Sequence, residues 1–264
     1  MTSTARALRD FRFTPPDGAD DGAEPVEACR VQGSMVFVII AVTAAALILG
    51  ALWGLFGRFP RKVEGFAVAM AGGALIVSVM LELLQPASDH ANLAAVLAVF
   101  AAGAVVFTAI DTWLDRRNDS SSGLGLLLAI VLDGIPENLA LGVALITAEP
   151  MAVLALAGSI FLSNLPEAAG GARAMRDDGD SRMWTFGIWV ATAAILGLSA
   201  LAGNLLFSPL QETTLALIKS FAAGAVVASL ATEVFPKAYR DDHDMTGIAV
   251  ALGVAIAFAL STIG

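Results

Sequence analysis

Eight apolar stretches run through this chain, at roughly 35–57, 64–86, 92–114, 123–147, 151–173, 183–207, 213–236 and 246–263. Each is about long enough (~17–25 residues) to cross the hydrocarbon layer of a bilayer as a helix. The breaks between them are short and carry turn signals: Phe59-Pro60, Ala87-Ser88-Asp89-His90, Asn118 to Gly123, Glu149-Pro150, Asp177-Asp178-Gly179-Asp180, Ser208-Pro209 and Arg240 to Asp244. The chain is 57% apolar and 15% charged, where a soluble domain is about 45–50% apolar and about 25% charged. Its 25 glycines suit helix interfaces in lipid, which favour small side chains. The expected fold is an all-α integral membrane bundle of eight transmembrane helices.

Residues 1–34 are polar and read as a disordered tail, ahead of an eight-helix transmembrane domain over 35–264. No apolar core of signal-peptide length follows Arg6, Arg9 and Arg12. Lys and Arg then set the orientation. Arg58, Arg61 and Lys62, Arg116 and Arg117, Arg173, Arg176 and Arg182, and Lys237 and Arg240 follow spans one, three, five and seven. The other loops and the C-terminus contain none. The positive-inside rule puts the odd-numbered loops in the cytoplasm and both termini outside. The expected location is a plasma membrane of the bacterial inner type. A net charge of −9, with no basic patch and interleaved aromatics, argues against a nucleic-acid partner. The single Cys29 excludes an internal disulfide framework and any CxxC metal knuckle.

Two matched stretches break the apolar pattern: Asp133-Gly134-Ile135-Pro136-Glu137-Asn138 and Ser163-Asn164-Leu165-Pro166-Glu167-Ala168. Each puts a proline and a carboxylate in the middle of a span. The proline removes a ladder hydrogen bond, and a charge at that depth is costly. Asp133 and Glu137 are four apart and share a helix face, as do Ser163 and Glu167. Pro136 frees the carbonyl of Leu132 and Pro166 that of Leu162, and lipid offers neither a partner. The two spans therefore present three carboxylates, a hydroxyl, an amide and two backbone oxygens, with no Lys or Arg at depth in either. Uncompensated carboxylates in a low dielectric take up protons or a cation. The plain alternative is a pair of proline kinks with each glutamate bonded to a neighbouring helix. Because the two spans run in opposite directions, the pair reads as an inverted repeat around a midplane site of broken helices. Phe100 to Val106 also recurs identically as Phe221 to Val227, and span two carries the related Ala71-Gly72-Gly73-Ala74.

The eight spans and the Pro-Glu pair in spans four and five resemble the ZIP family (zinc/iron-regulated-transporter-like proteins), over about residues 35–263. That resemblance implies a secondary transporter moving divalent metal toward the cytoplasm, chiefly zinc. It implies metal ligands at Asp133, Glu137, Ser163, Asn164 and Glu167. Glu82 in Leu81-Glu82-Leu83-Leu84-Gln85-Pro86, Glu233 in Thr232-Glu233-Val234-Phe235-Pro236, and Asp111 would serve as entrance or exit ligands. Asp133 stands where the family has its metal-binding His, Gly134 where it has Asn, and Asn138 where it has Gly. The only histidines, His90 and His243, fall in loops. Zinc favours nitrogen and sulfur donors, and an oxygen-only site suits manganese, magnesium or calcium better. Iron(II) also fits. The metal is cargo, and no resident cofactor is implied.

Lys219 is read as a snorkelling residue ahead of an ion pair with Glu82. The four tryptophans are read as interface or packing residues. No nucleotide-binding loop is present, so ion gradients would supply any drive. The chain is not read as an enzyme: Gly-x-Gly-Asp is absent, and only Asp133 offers an aspartate at depth in the central spans. An intramembrane hydrolase and a non-transporting metal sensor or scaffold are the rival classes. The sequence is compatible with a homodimer.

Overall fold

Long apolar runs without strand breakers become helices, and their ends are set by specific local chemistry. A computed structural model of the protein describes residues 25–57, 60–116, 123–147 and 150–263. Among the described residues there are eight helices and no strand. They are α1 (Pro25–Phe56), α2 (Arg61–His90), α3 (Leu93–Asp115), α4 (Gly123–Thr147), α5 (Pro150–Asp177), α6 (Arg182–Phe207), α7 (Glu212–Asp241) and α8 (Thr246–Ile263). Asn92 caps α3, its Oδ1 accepting from Ala94 N at 2.9 Å. Ser181 caps α6, its Oγ accepting from Trp184 N at 3.3 Å. Gly179, with φ of 99°, ends α5 in the left-handed conformation that glycine adopts without a Cβ penalty.

Five helices among the described residues are long and apolar enough to cross a membrane: Val36–Phe56 of α1, α2, Leu93–Leu114 of α3, α6 and α7. The expected tail lies outside the described residues as far as residue 24, and α1 begins at Pro25. Arg58, Phe59, Arg117, the turn over 118–122 and Glu149 also lie outside them.

Two expectations change. The central prolines do not break their helices: Pro136 and Pro166 lie inside continuous α4 and α5. Helices α2 and α7 also run past Pro86 and Pro236. Each does so through a wider π-helical turn, Met80–Leu84 and Leu230–Val234, so that the proline falls in the first turn of the segment that follows. Proline has no N–H to donate, and the wider turn is where the regular hydrogen-bond ladder is already displaced.

Residues Val36–Gly264 form one compact unit, and within it small residues set which helices meet. Helix α3 packs on α7, and α2 on α8. A Cβ on Gly103 would overlap the carbonyl oxygen of Phe221, and one on Gly224 that of Phe100. The identical Phe-Ala-Ala-Gly-Ala-Val-Val runs are thus two faces of one close helix crossing. The α2–α8 crossing repeats the arrangement, Gly73 against Val250 and Gly253 against Met70. In these paired crossings α2 corresponds to α7 and α8 to α3, and the two π turns fall at matching places.

A second group forms around α4 and α5. Leu47, Ala51 and Leu55 of α1, Leu127 and Ile130 of α4, Ala168, Ala172 and Met175 of α5, and Trp189, Ala193 and Leu196 of α6 share one buried cluster. The groups α1/α4/α5/α6 and α2/α3/α7/α8 meet chiefly where α2 packs on α5 and α4 on α7. The basic loop residues gather at one end. Arg176 Nη1 donates to Leu55 O at 3.1 Å, Arg182 lies 5.2 Å from the centre of the Phe56 ring, and Arg173 pairs with Glu64. At the other end Thr213 Oγ1 donates to His90 O at 3.2 Å, joining the end of α2 to the start of α7.

Candidate metal site

The α4–α5 contact brings the two Pro-Glu stretches together, and α7 closes over them. Asp133, Glu137 and Asn138 of α4 and Ser163, Asn164 and Glu167 of α5 are all buried, as is Asp111 of α3. Seven polar side chains inside an apolar bundle need partners, because an unpaired buried polar group costs about 1–3 kcal/mol. Some are found locally. Ser163 Oγ donates to Glu167 Oε1 at 2.8 Å, one helical turn away, and Asn138 Nδ2 donates to Gly134 O at 2.9 Å. Asp133 accepts a short hydrogen bond from Ser229 Oγ of α7.

Other atoms are left over. Glu137 Oε1, Asn164 Nδ2 and Glu233 Oε1 are buried and have no hydrogen-bond partner among the described residues. Swapping the amide of Asn164 end for end would present its acceptor oxygen at the same point, since the oxygen and nitrogen are nearly alike in size.

The carboxylates lie within electrostatic reach of one another: Glu137 with Asp133 and Glu167, and Asp133 with Asp111 and Glu167. Glu233, in the π turn of α7, reaches Asp133 and Glu167 and bonds side chain to side chain with Asp111. Among the described residues, no three carboxylate, imidazole or thiol groups converge closely enough to enclose a metal ion as they stand. The arrangement is a set of oxygen donors on four helices, near one another and not drawn together.

All five central ligands expected from the sequence fall in this one place. Asp111 and Glu233 join them on the α3–α7 side. Glu82 does not: it sits in the π turn of α2, partly exposed, within reach of Lys219 of α7. Lys219 is 5% exposed, so it does not snorkel, and the Glu82 partnership that ranked second is the better description. Gly134 faces α6, where a Cβ would stand 2.5 Å from Leu196 Cδ1. The histidines stay outside. His90 contacts Glu212 at 3.2 Å, and His243 contacts Asp244 at 3.4 Å with its ring centre 4.5 Å from that of Tyr239, the two rings tilted by 52°. Trp189 is fully buried, while Trp53, Trp113 and Trp184 are each at least 42% exposed.

Three residues were not legible as part of this region. Ser229 lay in a run of small residues with no sign that its hydroxyl meets Asp133. Lys237 counts among the basic residues that follow span seven, and Glu64 is the first residue of span two, with nothing in the sequence to pair them. Glu64 is buried and paired with Arg173 and Lys237, and both Lys237 and Glu64 lie within electrostatic reach of Glu167. The spacing of Glu64 three residues after Arg61, inside a span otherwise free of acid until Glu82, was the available signal.

Compared with known proteins, the chain matches no protein-family model and no curated protein.

Proposed function

We propose that the protein is a membrane-embedded secondary transporter of divalent metal cations, with Asp133, Glu137, Asn164 and Glu167 as its central ligands. One observation carries this reading: buried carboxylates from two adjacent helices face one another while Glu137 Oε1 and Asn164 Nδ2 lack partners. A divalent cation supplies the missing interaction, and the mutual repulsion of the carboxylates gives way to shared attraction. Protons do the same when the cation leaves, so cation and protons exchange at one place. Ser163 already donates to Glu167, so it acts by holding that carboxylate, with its own lone pairs still open to metal.

The matched α2–α8 and α3–α7 crossings support an inverted repeat, and the gathering of basic residues at one end supports that end as cytoplasmic. Both termini then lie outside, in the plasma membrane of a bacterial-type cell. The resemblance of the Pro-Glu stretches to the ZIP family supports divalent metal as cargo, moved toward the cytoplasm. An oxygen-only donor set favours manganese, or iron(II), over the strict zinc preference of a histidine site. Asp111, Glu233 and Glu82 flank the centre and are the ligands proposed along the route.

The test is uptake by the purified chain in proteoliposomes, with zinc, cadmium, manganese, iron(II), cobalt and magnesium in competition. Glu137→Ala and Glu167→Ala each abolish uptake. Equal uptake by the double variant overturns the assignment. Metal binding without flux moves the protein to the sensor or scaffold class.

A further inference from the structure

We propose that Glu64, Arg173 and Lys237 form a latch between the two helix groups, closing the route from the central carboxylates to the basic end of the bundle. Glu64 stands in the first turn of α2 and is 1% exposed. Arg173 Nη2 of α5 donates to its Oε2 at 2.6 Å, and Lys237 Nζ of α7 lies 3.6 Å from its Oε1. One carboxylate thus has both oxygens engaged by helices of different groups. The α2–α7 side is itself firmly joined here, since a Cβ on Gly65 would stand 2.8 Å from Asp241 Cβ and 2.9 Å from Ala238 O. Arg173 is the arm from the other group.

The cluster lies directly along the face of the central site. Glu167, Gly170 and Arg173 follow at three-residue spacing on one face of α5. Six residues of helix separate Glu167 from Arg173 by about 9 Å. Between them Gly170 leaves room for the Glu64 carboxylate, whose Oε1 a Cβ would overlap and whose Cδ it would meet at 2.9 Å. Glu64 and Lys237 are both within electrostatic reach of Glu167, and Asp241 is within reach of Glu64, Lys237, Arg61 and Arg173. A cation leaving Glu167 toward this end meets a paired carboxylate and two positive charges.

A buried ion pair of this kind is a two-position element. Paired, it is satisfied; separated without water, it strands charges at high cost. It therefore opens only when the groups part far enough for solvent to enter. The exposed His90–Glu212 contact at the opposite end joins α2 to α7 within one group, so it does not fasten the two groups to each other. The latch follows from these ion pairs alone; only the identity of what it bars rests on the cation transport proposed above.

The experiment measures amide hydrogen exchange in the full chain in lipid vesicles, alongside manganese uptake by the same vesicles. Glu64→Gln and Arg173→Gln speed exchange over residues 167–177 of α5 by about tenfold, less than a fully stranded charge would give because Arg173 keeps some solvent contact. Arg173→Lys, which retains the charge, stays near the parent rate. Unchanged exchange in both Gln variants overturns the latch, whatever the uptake. An equal rise in α3, which takes no part in the cluster, also overturns it, since the cluster would then merely hold the fold. If exchange responds as stated but the parent chain takes up no manganese or other divalent cation, the latch stands and the transport reading falls.

Discussion

Adding one methyl group to Gly224 tests one of the tightest helix contacts in the fold. In a free helix, glycine to alanine is favourable by about 1 kcal/mol. At Gly224 the new Cβ would overlap the carbonyl oxygen of Phe100, come within 2.8 Å of its carbon and stand 3.1 Å from Ala104 N. All three are backbone atoms, so no side-chain rotation relieves the overlap. Helices α3 and α7 must separate by roughly 1.5 Å to bring that oxygen to ordinary contact near 3.5 Å. Overpacking costs about 1–3 kcal/mol, and backbone against backbone belongs at the upper end. The net expectation for Gly224→Ala is a loss of about 2 kcal/mol after the helix-propensity gain. For a chain of this size that lowers the melting temperature by about 4–8 °C. The assay is thermal unfolding in one fixed detergent, followed by tryptophan fluorescence. Gly187→Ala is the control: nothing lies within 4 Å of its added Cβ, so the propensity gain acts alone and melting rises slightly. Gly103→Ala should match Gly224→Ala, and the double variant should fall short of their sum, because one separation accommodates both methyl groups. A melting temperature for Gly224→Ala at or above the parent's would refute the backbone-to-backbone crossing.

Asn164→Ala distinguishes a ligand from a structural amide. Its Nδ2 has no partner among the described residues, so removing it leaves the melting temperature unchanged or higher. The KM for cation uptake rises about tenfold, equivalent to about 1.4 kcal/mol of lost interaction. A lower melting temperature with unchanged uptake would make the amide structural. Asp133→His puts an imidazole among the oxygen donors, and the ratio of zinc to manganese uptake should rise severalfold, as donor softness dictates. An unchanged ratio in the competition assay would remove Asp133 from the ligands.

Hydropathy made the helices legible, because a run such as Leu93 to Leu114 leaves its backbone no better partner than itself. The gathering of Asp133, Glu137, Ser163, Asn164 and Glu167 was legible too, since proline and carboxylate together have little reason to sit mid-span. What lay hidden depended on contacts between distant segments. Nothing near Ser229 announces Asp133, and nothing near Glu64 announces Arg173, 109 residues away. The continuation of α2 and α7 past proline was hidden for a different reason. A proline reads as a stop unless the preceding turn widens, and that widening leaves no mark in composition.

Each of those two wider turns holds one residue more than a regular helix would at the same place. In genetic terms a change of this kind comes from inserting or deleting a codon, not from exchanging one. Removing a residue from Leu230–Val234 would rotate everything beyond it by about 100° relative to α3. Lys237 would swing away from Glu64, and the proline would fall on a regular turn with no accommodation. The aim of Lys237, and with it the fastening at the basic end, is therefore set by the count of residues in α7 as much as by their identity.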